Sequence, residues 1–239
     1  ARNADAEQYV QENATAALRT LGDRSVPAAQ RRTTFDRLMA QFADMPRISN
    51  FVLGRYGASL RNDVPLRTEW QRAFQDYSIA VYETQLSNYS GSAIRVTDSV
   101  ERIAGRDVIV ISEISQRGGR ALPVQWRMLR SNTGWKVVDV SLVLDGNQIW
   151  LAQQQQSEFL AVLGRNNGNI RTLMGDLRDR TTRMRDGVPA RRHLHRYQPA
   201  GRPGRGRSSL VHRRGRRDRR GVLRREGSGR NPARPELRP

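Results

Sequence analysis

The sequence predicts an α+β fold, a curved four-stranded antiparallel meander wrapped by about six helices. Three observations predict it. Gly134 to Leu163 starts as a β-branched strand (Trp135 to Val143), turns at Asp145-Gly146-Asn147, and continues with Ile149, Ala152, Phe159, Leu160 and Leu163 on one helical stripe. A strand that feeds a helix through so tight a turn packs that helix back onto the sheet's apolar face. Three strand-like runs upstream and this one are separated by joints short enough for hairpins. Before them, Leu66, Trp70, Phe74, Tyr77, Val81 and Leu86 form a regular amphipathic series.

In chain order, Ala4 to Leu21 reads as a helix carrying Tyr9, Val10, Ala14, Ala17, Leu18 and Leu21, with Gly22 at its stop. A second helix runs from Ala28 to Phe42 behind Pro27, with Phe35, Leu38, Met39 and Phe42 as its stripe, and Met45-Pro46 is expected to break it. Arg47 to Ser59 is a third, short helix. Asp63 then supplies an N-cap and Pro65 stands in the first turn of the long helix that follows. The strands are Ala93–Val100, Asp107–Gln116, Leu122–Arg130 and Trp135–Val143, joined at Ala104-Gly105-Arg106, Arg117-Gly118-Gly119-Arg120 and Asn132-Thr133-Gly134. Val108 to Ile111 is apolar on both faces, which predicts a central strand covered on both sides. Helices over Ile149–Leu163 and Ile170–Arg180 close the ordered part.

Charge divides the chain in two. The whole sequence of 239 residues carries a formal net charge of +19, but Asp186–Pro239 holds 17 Arg against 4 acidic residues. That segment also contains all three histidines, 8 of the 20 glycines and 6 of the 10 prolines. Residues 1–185 therefore form the folded domain, long enough to bury a core without staples, and 186–239 an Arg/Gly/Pro-rich disordered tail. The tail admits three readings: a cationic segment for nucleic acid or anionic lipid, a solvated segment with no dedicated partner, or the product of GC-rich DNA read out of frame. His193-Leu194-His195 is a weak metal pattern without further ligands, and no dedicated nucleic-acid partner is assigned.

Composition also removes chemistry. There is no cysteine, so no disulfide framework or thiolate nucleophile. Residues 1–185 lack histidine as well, which excludes Ser-His and Cys-His arrangements and His-based metal sites there. No run reaches the ~18 apolar residues of a membrane span, and the polar opening Ala1-Arg2-Asn3-Ala4 is compatible with a mature chain from which a signal peptide has been removed. Carboxylate chemistry is left open. Asp139, Asp145 and Glu158 lie near the strand-to-helix stretch, and a small isomerase or hydrolase with a buried carboxylate is the enzymatic alternative. Asp139 beside Lys136 in a strand, and Asp145 in a turn, are the usual settings of paired or solvated carboxylates. The aromatic residues Trp70, Phe74, Tyr77, Tyr82 and Tyr89 could be core or the wall of a cavity.

Four motifs in sequence resemble one family. Ile48-Ser49-Asn50-Phe51-Val52-Leu53-Gly54-Arg55-Tyr56 resembles the V-L-G-R-Y helix of the MlaC, or toluene-tolerance auxiliary, family of periplasmic phospholipid-binding proteins. Tyr77-x-x-x-x-Tyr82-x-x-x-Leu86-x-x-Tyr89, Trp135-Lys136-Val137-Val138-Asp139-Val140, and Ser157-Glu158-Phe159 leading to Gly168-Asn169-Ile170-x-x-Leu173 are similar to it in the same order. The resemblance covers about Ala4 to Arg180. The segment from Asp139 to Ser157 is longer and richer in Gln than the family's joint, and the tail after Arg185 has no counterpart.

The resemblance implies a non-catalytic shuttle that carries phospholipid between outer and inner membranes, with the lipid as cargo and no cofactor or metal. Its implied partners are an inner-membrane ABC transporter with a membrane-anchored substrate-binding subunit, and an outer-membrane lipoprotein complex. Physics agrees with the outline. Two acyl chains in water expose dozens of CH₂ groups at about 0.8 kcal/mol each, so a carrier needs a deep apolar cavity, here between sheet and helices. The wall residues expected on this basis are Phe51, Val52, Tyr56, Phe74, Tyr77, Val81, Ile109, Ile111, Trp126, Val138, Val140 and Phe159.

Overall fold

The computed structural model describes residues 1–86, 89, 92–115 and 119–187. The readings made for the Arg-rich tail, for His193-Leu194-His195 and for Arg117-Gly118 lie outside the described residues.

Helix α1 (Ala4–Gly22) starts at Asn3, whose side chain accepts from the Ala6 N–H at 3.0 Å. Helix α2 spans Ala28–Phe42. Met45-Pro46 does not simply end α2 but opens α3 (Met45–Phe51), because Asp44 Oδ1 accepts from the Arg47 N–H at 3.2 Å and proline is at home in a first turn. The expected single helix over Arg47–Ser59 is therefore two: α3, then a 3-10 helix over Gly54–Leu60. Gly54 makes the break with φ of 52°, where any Cβ would lie 3.0 Å from Leu160 Cδ2. Helix α4 (Val64–Leu86) is capped as expected, Asp63 Oδ1 accepting from the Leu66 N–H at 3.1 Å.

Five antiparallel strands follow in the order β1 (Ile94–Ile103), β2 (Asp107–Ile114), β3 (Leu122–Ser131), β4 (Gly134–Leu144) and β5 (Asn147–Trp150), each paired with the next. The fifth strand corrects the four-stranded expectation. Asp145 (φ 51°) and Gly146 (φ 78°) make a two-residue hairpin turn, so Asn147–Trp150 folds back on β4 before helix α5 (Leu151–Arg165) begins. Ile149, expected on the helix stripe, is a strand residue paired with Leu142. Helix α6 runs Ile170–Arg185.

The helices cover one face of the sheet. Val108 and Val110 are buried on that face, whereas Ile109 and Ile111 are half-buried on the other, opposite Arg127 and Gln125. Among the described residues β2 is thus covered by helices on one side, not both. Two devices close the sheet's borders. Gln11 of α1 donates from Nε2 to the Ile94 carbonyl (2.8 Å) and accepts from the Val96 N–H (3.0 Å), so a side-chain amide occupies part of the β1 edge. On β4, Ala43 bridges Val137 in parallel, with the Asp44 N–H donating to the Val137 carbonyl at 2.9 Å.

The core is solid at one end. Trp70, Phe74, Tyr77 and Phe159 pack with ring centroids about 6 Å apart, and Trp70 Nε1 donates to the Ser49 carbonyl at 2.7 Å. This joins α3, α4 and α5. Arg180 of α6 ties that helix to α5 through Glu158 (2.5 Å), and Asp176, one turn back on α6, holds the same guanidinium at 2.9 Å.

Candidate functional site

The other end of the same core is hollow. Between the inner face of the sheet and helices α1, α2 and α4 lies an apolar cavity of about 960 Å³ with its mouth included, of which about 80 Å³ admits the centre of a water-sized sphere. It is a slot rather than a chamber. Leu18 of α1, Met39 and Phe42 of α2, and Phe74 of α4 face Trp126, Val140 and Leu142 of the sheet across it.

A bulge sets the sheet side. β3 and β4 shift register between Arg127 and Met128, so Met128 pairs with Val137 while Trp126 and Val124 pair with Val140 and Leu142. Val138 is the extra residue. The bulge lets Val137, Val138, Val140 and Leu142 all line the cavity, which strict alternation would forbid. Trp126 brings its apolar body to the wall while its Nε1 donates to Ser112 Oγ at 2.8 Å, so the indole's polar end is satisfied.

The polar side chains on the wall are Ser78, Tyr82 and Gln85 of α4, with Asp139 and Gln155 opposite. Asp139 is structural in its contacts. Its Oδ1 accepts from the Ala152 N–H and the Val140 N–H, each at 2.8 Å, capping α5, whose own N-cap residue Trp150 makes no side-chain cap. Burial holds the Asp139 carboxyl above its ordinary value, against the backbone N–H groups of Ala152, Val140 and Gln153 and the charge of Arg127, which pull it down. Burial likewise raises the Tyr82 phenol far above its usual value, with the Asp139 charge adding to it. Ser78 Oγ and Gln85 Oε1 are buried without a hydrogen-bond partner among the described residues. No group of His, Cys, Asp or Glu among the described residues could hold a metal ion.

Of the residues expected on the wall, Phe74, Trp126, Val138 and Val140 line this cavity. Val52, Tyr77, Val81 and Phe159 are buried in the solid part of the core instead. Tyr56 packs against Gly168 at the α5–α6 joint, with the Arg55 guanidinium 4.7 Å over its ring. Phe51 is 42% exposed and its carbonyl accepts from Gln156 Nε2 at 2.7 Å. Ile109 and Ile111 lie on the far face of the sheet, because period 2 sends them opposite Val108 and Val110. The α1–α2 side of the wall was missing from the sequence expectation. Its apolar stripes were visible, but a stripe does not say whether it meets a partner or a gap.

The comparisons fit this architecture. A family model described as MlaC protein matches residues 11–179. Among solved structures, the chain is similar to a phospholipid-binding protein from Ralstonia solanacearum, solved in complex with a phospholipid, at 22% sequence identity and a TM-score of 0.64. The match covers 76% of this chain and 99% of that one. A search of curated proteins finds no match. No helix among the described residues is long and apolar enough to cross a membrane.

Proposed function

This chain belongs to the MlaC family, and from that premise we propose that it binds a phospholipid by its acyl chains in the cavity between sheet and helices and carries it between membranes without chemical change. The observation that carries the reading is the wall itself: apolar side chains from three helices face apolar side chains from the sheet across open space, where a core of this size would ordinarily close. Acyl chains are the ligand class such a wall favours, since each CH₂ moved from water gains about 0.8 kcal/mol. The phospholipid carried by the Ralstonia solanacearum neighbour supports the same choice.

The narrow free space adds a step. With about 80 Å³ open to a water-sized sphere, α1 and α2 must move off the sheet as chains enter. The apolar packing of Ala14, Leu18 and Phe42 against the sheet is then exchanged for packing against lipid, so opening loses little apolar contact overall.

The finer reading is a periplasmic shuttle of an ABC-type lipid transport system, exchanging cargo with a membrane-anchored substrate-binding subunit at the inner membrane and with a lipoprotein complex at the outer membrane. The family membership and the resemblance of its four motifs support it. An isomerase built on Asp139 finds no such support: the Asp139 carboxylate serves as a cap, accepting from the backbone N–H groups of Ala152 and Val140.

Native mass spectrometry of the purified chain tests the proposal. Phospholipid retained at one molecule per chain is the expected result. A chain that is lipid-free as isolated, and that takes up none from vesicles, would overturn it.

A further inference from the structure

We propose that Ser78, Tyr82 and Gln85 form a polar rung that receives the ester linkages of a diacyl lipid, so that the cavity reads where the acyl chains end as well as their apolarity. This inference rests on the carrier reading and deepens it.

The three residues follow at i, i+4 and i+7 on α4, which places them on one stripe, and all three line the cavity. Ser78 is 3% exposed, yet its Oγ has no partner among the described residues, and neither has Gln85 Oε1. That is unusual for a helix hydroxyl. Thr68, Thr181 and Thr182 each donate to the carbonyl four residues back, the ordinary local solution. Ser78 instead keeps a donor at the wall of an otherwise apolar space, where an unmade hydrogen bond costs free energy. Tyr82 adds a second hydroxyl one turn on, and its phenol stays protonated, hence a donor, because burial disfavours the phenolate.

Their order along the helix matches the order of groups in a diacyl glycerolipid. Below them Phe74 is 1% exposed, in the aromatic core. Ser78 is itself buried, and Tyr82, Gln85 and, beyond them, Leu86 are half-buried. Exposure therefore rises along α4 from tail level outward. In the lipid, ester carbonyls stand between the apolar chains and the charged headgroup, and they accept hydrogen bonds without donating. Ser78 and Tyr82, about 6 Å apart along the axis, supply two donors, and the Gln85 amide can turn either its donor or its acceptor to the glycerol. The Asp139 carboxylate, facing the same cavity, disfavours a phosphate or a fatty-acid carboxylate at this level and keeps the anionic headgroup outside.

The test compares, on the lipid-stripped full chain, a diacyl phosphatidylglycerol with its di-O-alkyl analogue of equal chain length, which lacks the ester carbonyls. The parent is expected to bind the diacyl lipid about tenfold more tightly. Ser78→Ala and Tyr82→Phe, which remove one hydroxyl each, should bring that ratio towards one. Equal affinities for the two lipids in the parent would overturn the rung and leave the carrier reading standing; so would variants that weaken both lipids alike. Failure of the parent to bind either lipid would overturn both. Should a variant not fold, the parent's ratio still decides.

Discussion

The side chain of Asp139, in the middle of β4, accepts a hydrogen bond from the backbone N–H of Ala152 at 2.8 Å, so a strand residue caps the helix that begins after the next hairpin. The contact fixes the start of α5 over the sheet, beside the cavity. It also accounts for a buried carboxylate that the sequence left open to catalytic use.

Asp139→Ala should destabilise the fold by about 1–3 kcal/mol at neutral pH, through a lost cap and orphaned N–H groups. Asp139→Asn keeps an acceptor and should cost less. Burial, the dominant effect, raises the folded carboxyl above its unfolded value, so the stability it contributes is present below the unfolded value and is lost as pH rises through the folded one. The parent's stability relative to Asp139→Asn should therefore fall from acid to neutral pH. Urea titrations across that range check it, and a difference that grows with pH would contradict the assignment.

Val138→Arg and Phe74→Arg both put a cation at the cavity wall, but they should fail differently. Val138 is the half-buried bulge residue, where an Arg can reach along the slot to water. Its lipid loading should be lost with circular dichroism unchanged. Phe74 is 1% exposed between Trp70 and Phe159, and a charge there should unfold the domain. Loading of Val138→Arg at the parent level would exclude this cavity as the lipid site.

Gly168 has φ of 74°, and a Cβ there would lie 2.8 Å from Tyr56 Cε1. Gly168→Ala should cost about 1–3 kcal/mol, from the left-handed backbone and the displaced ring together. Adding Tyr56→Ala should recover only the steric part, so the double variant should be less impaired than the sum of the singles. Thermal melts of the set give the coupling directly.

Phe159 is 1% exposed and contacts Trp70, Phe74 and Tyr77. Phe159→Ala should cost about 3–5 kcal/mol, because an aromatic cluster spanning two helices cannot collapse around the hole. A loss under 1 kcal/mol by denaturant titration would mean this end of the core is not solid.

Much of this was legible in the residues. Asp63 and Pro65 announce α4, and the Trp135–Val143 run announces β4, because caps and hydrophobic periods are local. The short strand β5 was not legible: Asn147–Trp150 is four residues, too few for a period, and Ile149 fits a helix stripe equally well. The split at Gly54 was hidden because only the contact with Leu160 demands that backbone. The wall was legible in part. Phe74, Trp126, Val138 and Val140 could be named, yet Ile109 and Ile111 were also expected there although they lie on the far face of the sheet, and Met39 and Phe42 were read only as part of the apolar stripe of α2.

By itself the sequence determined the kinds of elements, their order, the absence of thiol and imidazole chemistry from residues 1–185, and a match to one family over residues 11–179. Those follow from composition and from contacts a few residues long. Only the tertiary structure decided which apolar faces close on one another and which stand apart. A filled core and a hollow one present the same hydrophobic pattern, and the difference lies in a register shift at Val138 and in the space left between the helices and the sheet.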